Sequence, residues 1–225
     1  MTDKDYRLIE NYMLSCMADS AHDKEHIYRV LYVALAIADG EGNADSDIVI
    51  AASLLHDIGR KEQFENPELC HAKFGAEKAF IFLTENGFDT QFAQSVSDCI
   101  NSHRFRGNNP PQSIEAKILF DADKIDATGT LGIARTLFYN GMLGEPLYSL
   151  DSDRNVLDGT NDTTPSFFQE YKFKLENVYS KLYTETGRRI AEGRRRSAID
   201  FYNSMLSEVK DSCETGKRLL NGLIE

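Results

Sequence analysis

His56 and Asp57 close an apolar run, Ile48-Val49-Ile50-Ala51-Ala52-Ser53-Leu54-Leu55, and are followed by Ile58-Gly59. Taking an imidazole and a carboxylate out of water costs several kcal/mol unless they are hydrogen-bonded, paired or coordinated, and one divalent cation satisfies both. Further metal-capable side chains lie at intervals suited to separate helices. These are His26 in Glu25-His26-Ile27-Tyr28-Arg29-Val30, then His71 and His103, then Asp123 in Asp121-Ala122-Asp123-Lys124-Ile125-Asp126. In chain order they read His, His-Asp, His, His, Asp. On residue types alone, Asp121, Asp123 and Asp126 compete for the last ligand position, and Asp126, three residues beyond Asp123, could instead accept a hydrogen bond that orients a ligand.

Positioning such groups requires a helical frame, and the periodicity supplies one. Lys4 to Asp19 carries Leu8, Ile9, Tyr12 and Met13 at helical spacing. From Ser20 to Asp39, His26, Val30, Val33 and Ile37 share one stripe, so His26 faces inward, and Gly40 and Gly42 mark the end. Ser46 or Asp47 is expected to cap a central helix that stops at Gly59, leaving His56-Asp57 at a C-terminal helix end. Asn66-Pro67 reads as the start of a helix carrying His71, Ala72, Gly75, Ala76 and Ala79 and closed by Gly87. Asp89 or Thr90 starts the next, with His103 at its end before Arg106-Gly107-Asn108-Asn109-Pro110-Pro111. Ser113 caps a helix bearing Ile118, Leu119 and Asp123, and Gly129 and Gly132 permit a turn or close packing. Residues 140–166 are rich in glycine, proline and short polar residues, which predicts a long loop acting as a mobile cover or rim. Two amphipathic helices follow, over Ser166–Thr186 and Arg188–Lys210. The expected fold is all-α.

Composition sets the bounds. A chain of 225 residues, 41% hydrophobic, can bury a large core, and no shift in composition divides it, so a single domain over 1–225 is expected, with 166–225 as C-terminal helices packed on it. A net charge of −11 argues against duplex nucleic acid as a partner, while a metal and a few arginines can still attract a small anion. Cys16, Cys70, Cys99 and Cys213 are widely spaced and read as reduced thiols. The polar start and the lack of an apolar run near the ~18 residues a membrane helix needs predict a soluble cytoplasmic protein.

These residues together resemble the HD superfamily of metal-dependent phosphohydrolases, most of all its small bacterial single-domain members. The resemblance covers most of the chain and includes Asp126-Ala127-Thr128-Gly129-Thr130-Leu131-Gly132-Ile133-Ala134-Arg135 and Thr184-Glu185-Thr186-Gly187-Arg188-Arg189-Ile190-Ala191-Glu192-Gly193-Arg194. It implies an HD-domain helical bundle with a metal site in its core, held by His26, His56, Asp57 and Asp123. The family's pattern of an alanine before the aspartate and a basic residue after it selects Asp123. The closest branch implies one divalent ion, Mn, Fe, Co, Ni or Mg, whereas other branches place a second ion on the additional histidines, so His71 and His103 stand between pocket roles and a second metal. Asp57, His71, His103 and Lys124 are the catalytic candidates, and Arg29, Arg135 and Arg194 the candidates for substrate phosphate. Arg29 could equally meet an acidic partner.

The expected activity is hydrolysis of a phosphate ester or anhydride, with a nucleotide as the small phosphorylated substrate. A two-iron oxygenase on the same scaffold and a non-catalytic sensing module are the rivals. A homodimer is compatible with the aromatic residues of the C-terminal helices.

Overall fold

The protein is described here by a computed structural model covering residues 1–17, 24–104 and 109–224. Among these residues the order of elements is α1 (Asp3–Met17), α2 (Lys24–Glu41), α3 (Ser46–Leu55), α4 (Arg60–Glu65), α5 (His71–Glu85), α6 (Thr90–Ser102), α7 (Ile114–Ile125), α8 (Gly129–Leu143), α9 (Phe167–Phe173), a 3₁₀ helix (Leu175–Ser180) and α10 (Glu185–Asn221). The fold is all-α as expected, the only β feature among the described residues being an isolated bridge between Leu150 and Val156. No described helix is long and apolar enough to cross a membrane. The chain divides into two compact units, Met1–Asp126 with Leu182–Arg188, and Ala127–Lys181 with Arg189–Glu225.

In the first unit α3 is central, packing on α1, α2, α6 and α7. Its apolar composition leaves no polar face, and Val49, Ala51, Ala52, Ser53, Leu54 and Leu55 are all buried. Burying a leucine fully is worth about 1.5–3 kcal/mol, so this helix anchors the unit and holds its C-terminal end in a fixed place. On the stripe expected of α2, His26, Val30 and Ile37 are buried, whereas Val33 is half-buried. Asp89 and Ser113 cap α6 and α7 with their side chains. The cap of α3 is Asp45, not Ser46 or Asp47: its carboxylate accepts from the backbone N–H groups of Asp47 and Ile48. Gly40 does not end α2. The helix runs to Glu41 and Gly42, at φ +73°, takes the left-handed turn.

The largest departure from expectation in this unit follows Asp57. Gly59 ends the turn, but at φ −94° it is not needed for backbone freedom. A Cβ there would lie 2.5 Å from the carbonyl oxygen of His71 and 2.9 Å from the nitrogen of Gly75, so glycine allows the start of α5 to approach the His-Asp turn. The short helix α4 intervenes, and α5 begins at His71 rather than at Pro67. Asn66 serves instead as a turn residue, its side chain accepting from Glu68 N–H at 3.2 Å. Asp121, one of the competing aspartates, is wholly buried and anchors the return of the chain. It accepts from the backbone nitrogens of Tyr183 and Thr184 and from Thr184 Oγ1 at 2.6 Å. A Cβ at Gly187 would stand 2.6 Å from Asp121 Oδ2, which accounts for the glycine in Thr184-Glu185-Thr186-Gly187.

In the second unit, Gly129 begins α8 at φ +67°, and Gly132 packs against the backbone of Ala127 where a Cβ would collide. Ile133, Val156, Phe167, Phe168, Tyr171 and Tyr202 form its core. The loop is shorter than expected, because α8 continues to Leu143, and it is tied down. Phe167 and Phe168 donate to the carbonyls of Pro146 and Leu147, Asp151 caps its own turn, and Lys217 holds the carbonyl of Asp153. The first of the two expected C-terminal helices is broken. Asn177 Nδ2 takes the carbonyls of Lys172 and Phe173, competing with the helical ladder so that α9 stops and a 3₁₀ helix follows. The second begins at Glu185 and runs past Lys210 to Asn221.

Candidate metal centre

Four of the five histidines in the chain converge inside the first unit. His26 comes from α2, His56 and Asp57 from the turn after α3, His71 from the first position of α5, His103 from the end of α6 and Asp123 from α7. All are buried except Asp123, which is partly so. His26 Nε2 lies 3.4 Å from His56 Nε2, 3.4 Å from Asp123 Oδ1 and 3.8 Å from Asp57 Oδ2. On its other side Asp57 offers Oδ1 to His71 Nε2 at 3.6 Å and to His103 Nε2 at 3.7 Å. Two groups of three could therefore each hold an ion: His26, His56 and Asp123, and Asp57, His71 and His103.

The outer nitrogens are all engaged. His56 Nδ1 meets the carbonyl of Ser53 at 2.7 Å and His103 Nδ1 that of Ile100 at 2.6 Å. His71 Nδ1 meets Gln63 Oε1 at 2.8 Å, and His26 Nδ1 meets Asp126 Oδ2 at 2.7 Å. A carbonyl or carboxylate oxygen only accepts, so Nδ1 carries a proton, and a ring with that single proton points a bare Nε2 inward. The Nε2 atoms of His71 and His103 are buried with no hydrogen-bond partner. Leaving such groups unsatisfied costs about 1–3 kcal/mol each, a penalty that a cation would remove. Imidazole nitrogens with carboxylate oxygens suit a divalent ion of the first transition row or magnesium.

The electrostatics set His26 apart from His56 and His71. Burial pushes His56 down to about 4; burial, with the Arg60 guanidinium, pushes His71 down to about 3. For His26 burial is outweighed by its bonds to Asp123 and Asp126, which hold it up at about 9. Burial would raise Asp57 and Asp123, but neighbouring cations keep both well below the usual carboxylate range, Arg60 foremost for Asp57 and Lys124 for Asp123.

The other expected site residues fall as follows. Arg29 meets the acidic partner: its Nε donates to Asp126 Oδ1 at 2.8 Å and Nη2 to Oδ2 at 3.2 Å. Asp126 thus holds both His26 and Arg29. Lys124 Nζ donates to Asp123 Oδ2 at 2.5 Å and to the carbonyl of His103 at 3.3 Å. Arg135, on α8, and Arg194, on α10, belong to the second unit. Two residues escaped the sequence reading. Arg60 donates from Nε to Asp57 Oδ1 at 2.8 Å, a contact legible as a basic residue one helical turn after the aspartate. Gln63 is the partner of His71, and only the interposed helix α4 brings it there.

A helical core holding histidines and aspartates in this order defines a class. Residues 24–128 match the HD domain family, and the chain belongs to the HD superfamily, whose solved members include hydrolases. It is 31% identical to a predicted HD superfamily hydrolase from an uncultured Thermotogales bacterium, with 92% of each chain covered and a TM-score of 0.61. It is also similar to YpgQ of Bacillus subtilis (strain 168), 28% identical over 207 residues, which are 89% of this chain and 92% of that protein. A crystal structure of YpgQ in complex with ADP superposes with a TM-score of 0.70 at 27% identity, covering 91% of this chain and 97% of the other.

Proposed function

We propose that this chain is a divalent-metal-dependent phosphohydrolase acting on a phosphate ester or anhydride of a nucleotide. The observation that carries this reading is the convergence of His26, His56 and Asp123, whose inner atoms lie close enough to share an ion, with Asp57 Oδ2 3.8 Å from His26 Nε2 and 3.7 Å from His56 Nε2. In this reading the four hold the ion. A divalent ion in such a site lowers the pKa of bound water and neutralises charge on a phosphoryl group. Asp126 orients His26, and Arg29 fixes Asp126 in turn. Lys124, paired with Asp123, is the candidate proton donor to the leaving oxygen. The nucleotide assignment is supported by the ADP bound to YpgQ.

For His71 and His103 the buried Nε2 atoms without a hydrogen-bond partner favour a second reading over proton donation. Together with Asp57 they would take a second ion. The overall assignment is tested by loading the metal-stripped protein with Mn²⁺, Co²⁺, Ni²⁺, Fe²⁺ or Mg²⁺ and assaying nucleoside mono-, di- and triphosphates for released phosphate and pyrophosphate. Metal-dependent release from at least one nucleotide is expected. Dioxygen uptake with Fe²⁺ and no hydrolysis with any ion would replace it with the oxygenase alternative.

A further inference from the structure

The four inward histidines are not backed alike. His26 is backed by a carboxylate, Asp126; His56 and His103 by carbonyls of their own helices; and His71 by a side-chain amide eight residues away, Gln63. The orientation of that amide is fixed by its other contacts. Its Nε2 donates to the carbonyl of Leu69 at 3.1 Å, and its Oε1 also receives Arg60 Nη1 at 3.5 Å. The oxygen must therefore face His71, so Nδ1 carries the ring proton and Nε2 is left bare, 3.6 Å from Asp57 Oδ1. Without this acceptor, an Nε2–H facing the Asp57 carboxylate would be the better-satisfied form, and that form binds no cation at Nε2.

We propose that Gln63 is the positioning residue of the centre: it holds His71 in the tautomer that can ligate and, being neutral, keeps the position at Asp57, His71 and His103 weaker than the one backed by Asp126. This rests on the reading of that position as a second metal site. An acceptor of this kind raises ligand basicity according to its charge, and its loss typically costs roughly 10–100-fold in affinity.

Two readouts keep the inference separate from the reading beneath it. The first is the tautomer of His71 in the metal-free protein, from long-range proton–nitrogen NMR correlations. Nδ1–H is expected in the wild type and in Gln63→Glu, and Nε2–H in Gln63→Leu. The second is calorimetric titration with Mn²⁺, where a tighter and a weaker event are expected. Gln63→Leu should weaken the second event roughly 10–100-fold and leave the first in place, whereas Gln63→Glu should preserve or tighten it. An unchanged tautomer and unchanged second event in Gln63→Leu overturn the role of Gln63. A tautomer that switches while the wild type takes up only one ion at any concentration overturns the second site instead, and with it the affinity half of the proposal.

Discussion

Nε2 of His71 stands 3.6 Å from Oδ1 of Asp57, buried and without a hydrogen-bond partner, while the other oxygen of the same carboxylate faces His26 and His56. One aspartate thus looks towards both groups of candidate ligands. If both take ions, saturated wild-type protein contains two Mn²⁺ per chain, and His71→Gln and His103→Gln each contain one. Elemental analysis after equilibrium dialysis decides this; one ion in all three proteins returns the two histidines to a role on substrate.

Asp126→Asn tests the support of His26. An amide can turn only its oxygen to His26 Nδ1, so the hydrogen bond survives without its charge and the pairing with Arg29 weakens. Metal affinity should fall roughly 10–100-fold, measured by competition with a chelating dye, with the fold unchanged by circular dichroism. Unaltered affinity would make Asp126 a partner of Arg29 alone.

The metal-free protein should be most stable near pH 6.5. His56 and His71, held down at about 4 and about 3, stay neutral when folded but take protons when unfolded below pH ~6.5. Each therefore removes up to about 1.4 kcal/mol per pH unit on the acid side. His26, held up at about 9, contributes stability that is complete below pH ~6.5 and lost as pH rises towards 9. Asp57 and Asp123, kept low, add to the acid loss as pH falls below ~3.9. Scanning calorimetry of stripped protein should show a steeper acid flank than alkaline flank. A steeper alkaline flank would contradict these protonation states.

Gly59→Ala places a methyl group 2.5 Å from the carbonyl oxygen of His71, and the atoms it meets are backbone, which cannot step aside alone. A loss of about 1–3 kcal/mol in urea unfolding is expected, together with weaker metal binding because His71 and the His-Asp turn are forced apart. A variant as stable as wild type would show that the turn has room to spare.

Much of the centre was legible because its residues sit where helical periodicity is strongest. His26 on the α2 stripe, His56-Asp57 after an apolar run and His103 closing a capped helix could be placed from pattern alone. Asp123 could not be told from Asp121 and Asp126 without the resemblance. Their separation depends on tertiary partners: Asp121 accepts from the start of α10, Asp126 from His26 and Arg29. Helix α4 was missed because six residues carry no periodic signal, and with it went Gln63. The break after α9 escaped for a similar reason, since it turns on one asparagine side chain bonding to carbonyls behind it.

The most direct test is metal content and nucleotide hydrolysis measured on the same samples of wild type and Asp123→Ala after dialysis against Mn²⁺. The expected result is an ion retained in the wild type, with metal-dependent hydrolysis, and loss of both from the variant, because Asp123 is one of the four residues assigned to the first ion. Full occupancy and undiminished hydrolysis in Asp123→Ala would contradict the assignment of the centre.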